Sequence, residues 1–148
     1  MFQQDDEQKR HDTLLANIRA YLPELEKLVG EFHSYDEDGI YRFYHQSFKV
    51  FHLQPLVRRA RDLFARLSPE GVPLHPWFTA ICEQALDHEF DSGRMNDNWL
   101  NETRPLLEAF WHCRYFAENL LRYGRELDKA PLMLPSGWAA ILCLYNMR

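Results

Sequence analysis

A long segment from Asp97 to Asp128 constrains the fold more than any other part of the chain. Its apolar residues recur three and four positions apart: Leu106, Phe110, Cys113, Ala117, Leu120, Gly124 and Leu127. This spacing places them on one side of an α-helix, because a helix has 3.6 residues per turn. Polar residues follow the same spacing on the other side: Arg104, Glu108, His112, Tyr115, Asn119 and Arg122. The pattern predicts a long central helix near residues 98–128. Since proline is tolerated in a first helical turn, Pro105 should lie near its start, with Thr103 as the N-cap.

Prolines and glycines divide the rest of the chain into shorter predicted helices. The first runs from Asp12 to about Tyr35 and is split at Pro23, and the charged residues 1–12 before it are expected to fray. The others are predicted at residues 40–53, at 55–67, from Pro76 onward, and from Gly137 to about Met147 with Ser136 as the cap. No segment alternates apolar and polar residues with the period of two that a half-buried strand shows. We therefore predict an all-α, single-domain, irregular bundle of about six helices spanning residues 1–148.

Charge and hydropathy narrow the classes of partner. The formal net charge is −5, whereas a nucleic-acid-binding domain usually carries a basic surplus, so no nucleic-acid partner is expected. No run of about 20 apolar residues is present, and the polar N-terminus lacks the apolar core of a signal peptide. We expect no membrane span and a cytoplasmic location. Cys82, Cys113 and Cys143 all lie in apolar stretches and form no CxxC pair, which favours buried free thiols in a reducing compartment.

The predicted helix at residues 40–53 is bulky on every side, which is typical of a helix packed between layers. Tyr41, His45, Phe48 and His52 are spaced along the side opposite its apolar arc. These rings either make structural hydrogen bonds or form the wall of a ligand pocket. For such a pocket the candidate residues are Tyr41, His45, His52, Tyr115 and Arg104. His45 and His52 are about 10 Å apart along a helix axis, so at most one of them can serve a given metal ion.

Glu108 and His112 form a candidate metal site, although their spacing is generic. They are four residues apart, so a carboxylate and an imidazole lie side by side on one helical face. Such a pair binds a divalent metal in some proteins and is an ordinary surface pair in many others. His45 and His88 would complete a zinc or iron site if the fold brought all four residues together. His88 is alternatively a packed residue near the C-terminus of its helix.

Three functions remain open from the sequence. Aromatic residues make up 14% of the chain, and no glycine-rich phosphate loop or catalytic motif is present. The leading hypothesis is therefore a soluble, non-catalytic helical binding or scaffolding domain, whose partner is either another protein or a second copy of the chain in a symmetric homodimer. The second is a metal-binding protein or metal-dependent enzyme, and the third is a small-molecule binding domain with an aromatic pocket. No catalytic residue is nominated.

Overall fold

The computed structural model describes residues 2–35, 53–87, 99–126, 141 and 143–146. Within these residues it contains five helices: α1 (Phe2–Ala20), α2 (Leu22–His33), α3 (Leu53–Leu67), α4 (Pro76–Asp87) and α5 (Trp99–Glu126). The described part of the chain has no strand, which confirms the predicted all-α class. The helix predicted at residues 40–53 lies almost wholly outside the described residues.

Helix α5 is the centre of the fold, as its sequence pattern predicts. It is about 42 Å long at 1.5 Å per residue, and it contacts each of the other four helices. The predicted apolar side is buried from Leu106 to Gly124. Phe110 packs against Phe32 of α2 with ring centroids 5.1 Å apart, and Phe116 packs against Phe78 of α4 at 5.5 Å. The core therefore forms around one face of a single long helix and leaves the opposite face outside.

Pro23 divides the N-terminal segment as predicted, because it lies in the first turn of α2, where its missing N–H costs no intrahelical hydrogen bond. The break falls at Tyr21, whose N–H still bonds to the carbonyl of Asn17 at 3.1 Å. Helix α1 begins at Phe2 rather than near Asp12. The charged N-terminal residues thus have a helical backbone, and from Lys9 onward the first buried residue is Leu14.

The predicted N-cap of α5 is wrong, although the helix starts within one residue of the predicted residue 98. The helix begins at Trp99, so Thr103 lies inside it and is not its N-cap. Pro105 also lies inside the helix, beyond the first turn, where it removes one backbone donor. Burial of the following residue, Leu106, and of the rest of the apolar face accounts for this, because tertiary packing outweighs the local cost of a proline of about 3 kcal/mol.

Residues 144–146 form backbone hydrogen bonds with the loop before α4. Ile141, Cys143 and Leu144 are helical, but Tyr145 forms an isolated antiparallel bridge with Leu74, so the predicted helix ends before Met147. The His75 N–H donates to the carbonyl of Leu144 at 2.8 Å, and the Asn146 N–H donates to the carbonyl of Pro73 at 3.0 Å. These backbone hydrogen bonds hold residues 144–146 against the segment that precedes α4.

Tertiary contacts satisfy two of the carbonyl groups at the C-terminal end of α3, where the last turn leaves carbonyls without a partner in the helix. The buried hydroxyl of Tyr145 donates to the carbonyl of Phe64 at 2.6 Å, and the Asn17 amide donates to the carbonyl of Leu67 at 2.9 Å. Burial raises the pKa of Tyr145 far above its ordinary value, so this hydroxyl stays protonated. The chain then reverses in a turn in which Gly71 adopts a φ of 81°, which favours glycine.

Gly124 permits α1 and α5 to approach closely. A Cβ built on this residue would lie 2.6 Å from Cγ2 of Ile18 and 3.1 Å from Cδ2 of Leu22. Ile18 is fully buried and β-branched, so its side chain has little freedom to move away. Glycine is thus required here for packing rather than for an unusual backbone angle. None of the described helices combines the length and the apolar character needed to cross a bilayer.

Candidate functional site

The outer face of α5 carries the most unusual surface in the described part of the chain. Trp111 and Tyr115 are the large apolar side chains exposed there, with 39% and 51% of their surfaces accessible. They are four residues apart, so they lie next to each other on the outer side of the helix. We call this surface the outer stripe and define it by the residues that follow Arg104 at intervals of three and four: Glu108, Trp111, Tyr115, Glu118 and Arg122, together with Arg104 itself.

The two exposed rings rest on the aromatic core. Trp111 meets Phe110 edge to face with centroids 5.2 Å apart, and Tyr115 meets the buried Phe116 at 5.4 Å. The guanidinium of Arg114 lies over the Trp111 ring, 5.5 Å from its centroid, in a cation–π contact. These contacts restrict the rotamers of both rings. Covering the rings in a complex therefore costs less side-chain entropy than covering rings that rotate freely.

A small ionic network borders the exposed rings. Glu118 Oε1 accepts hydrogen bonds from Nε of Arg114 at 3.0 Å and from Nε2 of His33 at 2.6 Å. Partial burial alone would raise the pKa of Glu118, but the hydrogen bonds and positive charges of Arg114 and His33 outweigh it and lower that pKa. Glu118 is thus ionised and already engaged within its own chain.

Three other charged residues of the outer stripe have no partner among the residues that the structure describes. Within the described ranges, no hydrogen bond or ion pair involves the side chain of Arg104, Glu108 or Arg122. All three side chains are exposed. The outer stripe therefore combines two fixed aromatic rings with charges that remain available to a partner.

Two of the four predicted metal ligands, Glu108 and His112, lie in the described part of the chain. His45 and His88 lie outside the described residues. Glu108 is exposed and His112 is half-buried, with its ring 5.4 Å from that of Trp77 in an edge-to-face contact. In the part of the chain that the structure describes, no three ligating side chains come together, and Glu108 and His112 form no direct contact of hydrogen-bond or ion-pair type. His112 is thus held by an aromatic neighbour rather than by a carboxylate.

The predicted aromatic pocket has two of its five candidate residues in the described part of the chain. Tyr115 and Arg104 are both exposed on α5, whereas Tyr41, His45 and His52 lie outside the described residues. Tyr115 and Arg104 are 11 residues apart, about 16 Å along the axis, so they mark an extended face rather than two walls of one small pocket.

A groove of about 260 Å³ lies between α2 and α3. Its floor is apolar, and its rim carries three acidic and three basic side chains: Glu24, Glu31, Asp62, Lys27, Arg59 and Arg66. Arg59 pairs with Glu31, and Asp62 pairs with the neighbouring Arg61 at 3.2 Å. Because these charges largely neutralise one another, the groove has no clear preference for an anionic or a cationic ligand.

The fold brings together two cysteines that are far apart in the sequence. Cys82 of α4 and Cys113 of α5 are both fully buried, and their thiols share a hydrogen bond. The hydrogen bond from Cys113 lowers the pKa of Cys82, and burial raises the pKa of Cys113 well above its usual range. The burial of Cys82 and Cys113 confirms the prediction of buried free thiols for these two residues. Cys143 is exposed, so the prediction is wrong for that residue.

Sequence reasoning missed Trp111 as a surface residue. Trp111 is not one of the polar residues that define the outer side of α5, and tryptophan in an amphipathic helix is usually assigned to the core. The signal was its position: Trp111 lies three residues after Glu108 and four before Tyr115, on the predicted outer side. An aromatic ring in an otherwise polar stripe marks a surface that another molecule can cover. Comparison with known proteins adds nothing to this assignment, since no family model, curated protein or solved structure matches the chain.

Proposed function

We propose that the chain is a non-catalytic helical binding domain that recognises a protein partner through the outer stripe of α5. One observation carries the proposal: Trp111 and Tyr115 are exposed side by side on a helix whose opposite face forms the core. Tryptophan, tyrosine and arginine are the residues most enriched among those that dominate protein–protein binding energy. The outer stripe contains all three, and the neighbouring Arg114 stacks on Trp111.

The convex shape of the outer stripe supports protein recognition over binding of a small molecule. Small-molecule sites are concave and enclose most of the ligand. The outer stripe is the convex side of a single helix and extends about 27 Å from Arg104 to Arg122. Such a surface suits a second helix or another extended protein surface.

The proposal includes the remaining architecture expected from the sequence. We propose one domain of about six helices in a cytoplasmic location, where a reducing environment keeps the adjacent thiols of Cys82 and Cys113 unoxidised. In this setting the domain acts by holding partners together and has no catalytic centre.

Site-specific photocrosslinking tests the proposed surface in the cell. A benzophenone amino acid replaces Tyr115 in one variant and Gln84, an exposed residue of α4, in the matched control. We expect a covalent protein adduct from position 115, no adduct from position 84, and loss of the first adduct when Trp111→Ser is added. Equal labelling at both positions, or an adduct that survives Trp111→Ser, would refute the outer stripe as the binding surface.

A further inference from the structure

We infer that the partner which covers the outer stripe is a second copy of this chain, packed antiparallel through α5 about a two-fold axis near Tyr115. The inference rests on the proposed function and names the partner of that surface. It follows from the positions of the unengaged charges relative to the exposed rings.

Glu108 and Arg122 are placed symmetrically about Tyr115. Glu108 precedes Tyr115 by seven residues, and Arg122 follows it by seven. Seven residues complete nearly two helical turns, so all three residues lie on one line along the outer face, with Glu108 and Arg122 each about 10 Å from Tyr115 along the helix axis. A two-fold rotation about Tyr115 therefore places Glu108 of each copy opposite Arg122 of the other.

Charge complementarity selects this arrangement over its competitors. Parallel packing of α5 on itself would place Glu108 opposite Glu108 and Arg122 opposite Arg122, and like charges opposed across an interface are unfavourable. An axis at Trp111 would instead place Glu118 opposite Arg104 and Arg114 opposite Glu108. Glu118 and Arg114 already bind each other within one copy, so both pairs would have to compete with that contact. Packing about Tyr115 uses Glu108 and Arg122, which have no partner among the described side chains.

The apolar contact falls between the charged pairs. Tyr115 of each copy meets its equivalent at the axis, and Trp111 of each copy lies one turn away, above Asn119 and Tyr115 of the other. Four rings thus form the centre of the interface, and a Glu–Arg pair closes it at each end. This is the arrangement of a central apolar cluster with a polar rim that protein interfaces commonly show.

The area available indicates a weak dimer. A single helical face about 27 Å long and about 12 Å wide is smaller than the roughly 800 Å² that each partner buries in a standard interface. We therefore expect dissociation constants on the order of 0.1 mM, so that the dimer forms at high local concentration and dissociates on dilution.

Sedimentation velocity over a concentration series of the full chain, combined with charge reversal, tests the inference. Each pair occurs twice in a two-fold dimer, so Glu108→Arg and Arg122→Glu are each expected to weaken self-association about tenfold. The double reversal should restore the dissociation constant to within about threefold of the original value. Because Glu108 and Arg122 are about 21 Å apart within one helix, such rescue cannot arise inside a single copy. Glu70→Arg, an equal reversal at an exposed site away from α5, serves as the control and should change nothing.

The outcomes separate the inference from the proposed function. A dimer that Trp111→Ser abolishes but the double reversal fails to rescue refutes the antiparallel arrangement and leaves the outer stripe as a binding surface. A chain that stays monomeric to millimolar concentration, while position 115 crosslinks to a different protein in the cell, refutes the second copy as partner. A dimer that forms unchanged in Trp111→Ser refutes both.

Discussion

Substitution of Gly124 by alanine tests the contact between α1 and α5. The added Cβ would lie 2.6 Å from Cγ2 of Ile18, whereas ordinary contact begins near 3.4 Å, so the atoms must separate by 3.4 − 2.6 Å, about 0.8 Å. Overpacking of this kind costs about 1–3 kcal/mol. Against this, replacing glycine by alanine in a helix gains up to about 1 kcal/mol. We expect Gly124→Ala to lower the free energy of unfolding by up to about 2 kcal/mol.

Gly30→Ala is the matched control for this experiment. Gly30 is also near the C-terminal end of its helix, but it is exposed, and a Cβ there would meet nothing within 4 Å. This variant should therefore show the helical gain without the overpacking cost and raise stability by up to about 1 kcal/mol.

Urea denaturation followed by circular dichroism measures both effects. The two variants should differ by about 1–3 kcal/mol, which corresponds to roughly 3 °C in melting temperature per kcal/mol for a chain of this size. The denaturant slope should stay unchanged. If Gly124→Ala stabilises the chain as much as Gly30→Ala, α1 does not approach α5 at this residue and the packing described for Ile18 is wrong.

Three further predictions concern the hydroxyl of Tyr145, the reactivity of the three thiols, and the loss of folding stability at low pH. Tyr145→Phe leaves the carbonyl of Phe64 without its buried donor, so urea denaturation should show a loss of about 1–3 kcal/mol; an unchanged midpoint would contradict this contact. In native protein a thiol reagent should label one cysteine quickly, Cys143, and label the other two only on unfolding, as peptide mass spectrometry can establish; equal labelling of all three would contradict their burial. Because the pKa of Glu118 is lowered in the folded state, the unfolded chain binds its proton first, and this part of stability is lost as the pH falls below about 4.5. Glu118→Gln should therefore be less stable at neutral pH and depend less on pH on the acid side, and parallel pH profiles for the two proteins would refute the role of Arg114 and His33.

The sequence predicts the core of this fold well because its dominant signal is local. The spacing from Leu106 to Gly124 determines which side of α5 is buried, and the structure confirms that side throughout. Pro23 and Pro76 mark the starts of α2 and α4, because proline suits a first turn. Local rules misplace the N-cap of α5 at Thr103: Pro105 is tolerated beyond the first turn because burial of its neighbours offsets the missing hydrogen bond.

The surface and the tertiary contacts are harder to predict because they depend on distant residues. Cys82 and Cys113 are 31 residues apart, and nothing in their local patterns shows that the thiols meet. The bridge between Leu74 and Tyr145 likewise joins distant segments. For the candidate site, the sequence identified Tyr115 and Arg104 on the outer side of α5 but not Trp111, since ring exposure depends on which helices cover which face. The proposed metal ligands His45 and His88 remain predictions.

Disulfide crosslinking between two variants tests the outer stripe most directly. Glu108→Cys and Arg122→Cys are made separately in a Cys143→Ser background, which removes the exposed native thiol. Antiparallel packing about Tyr115 places these two positions opposite each other in different copies. Mild oxidation should therefore produce a covalent dimer from the mixture of the two proteins and not from either protein alone. A covalent dimer from the Glu108→Cys protein alone would show parallel packing, and no crosslink in any sample at millimolar concentration would contradict self-association through α5.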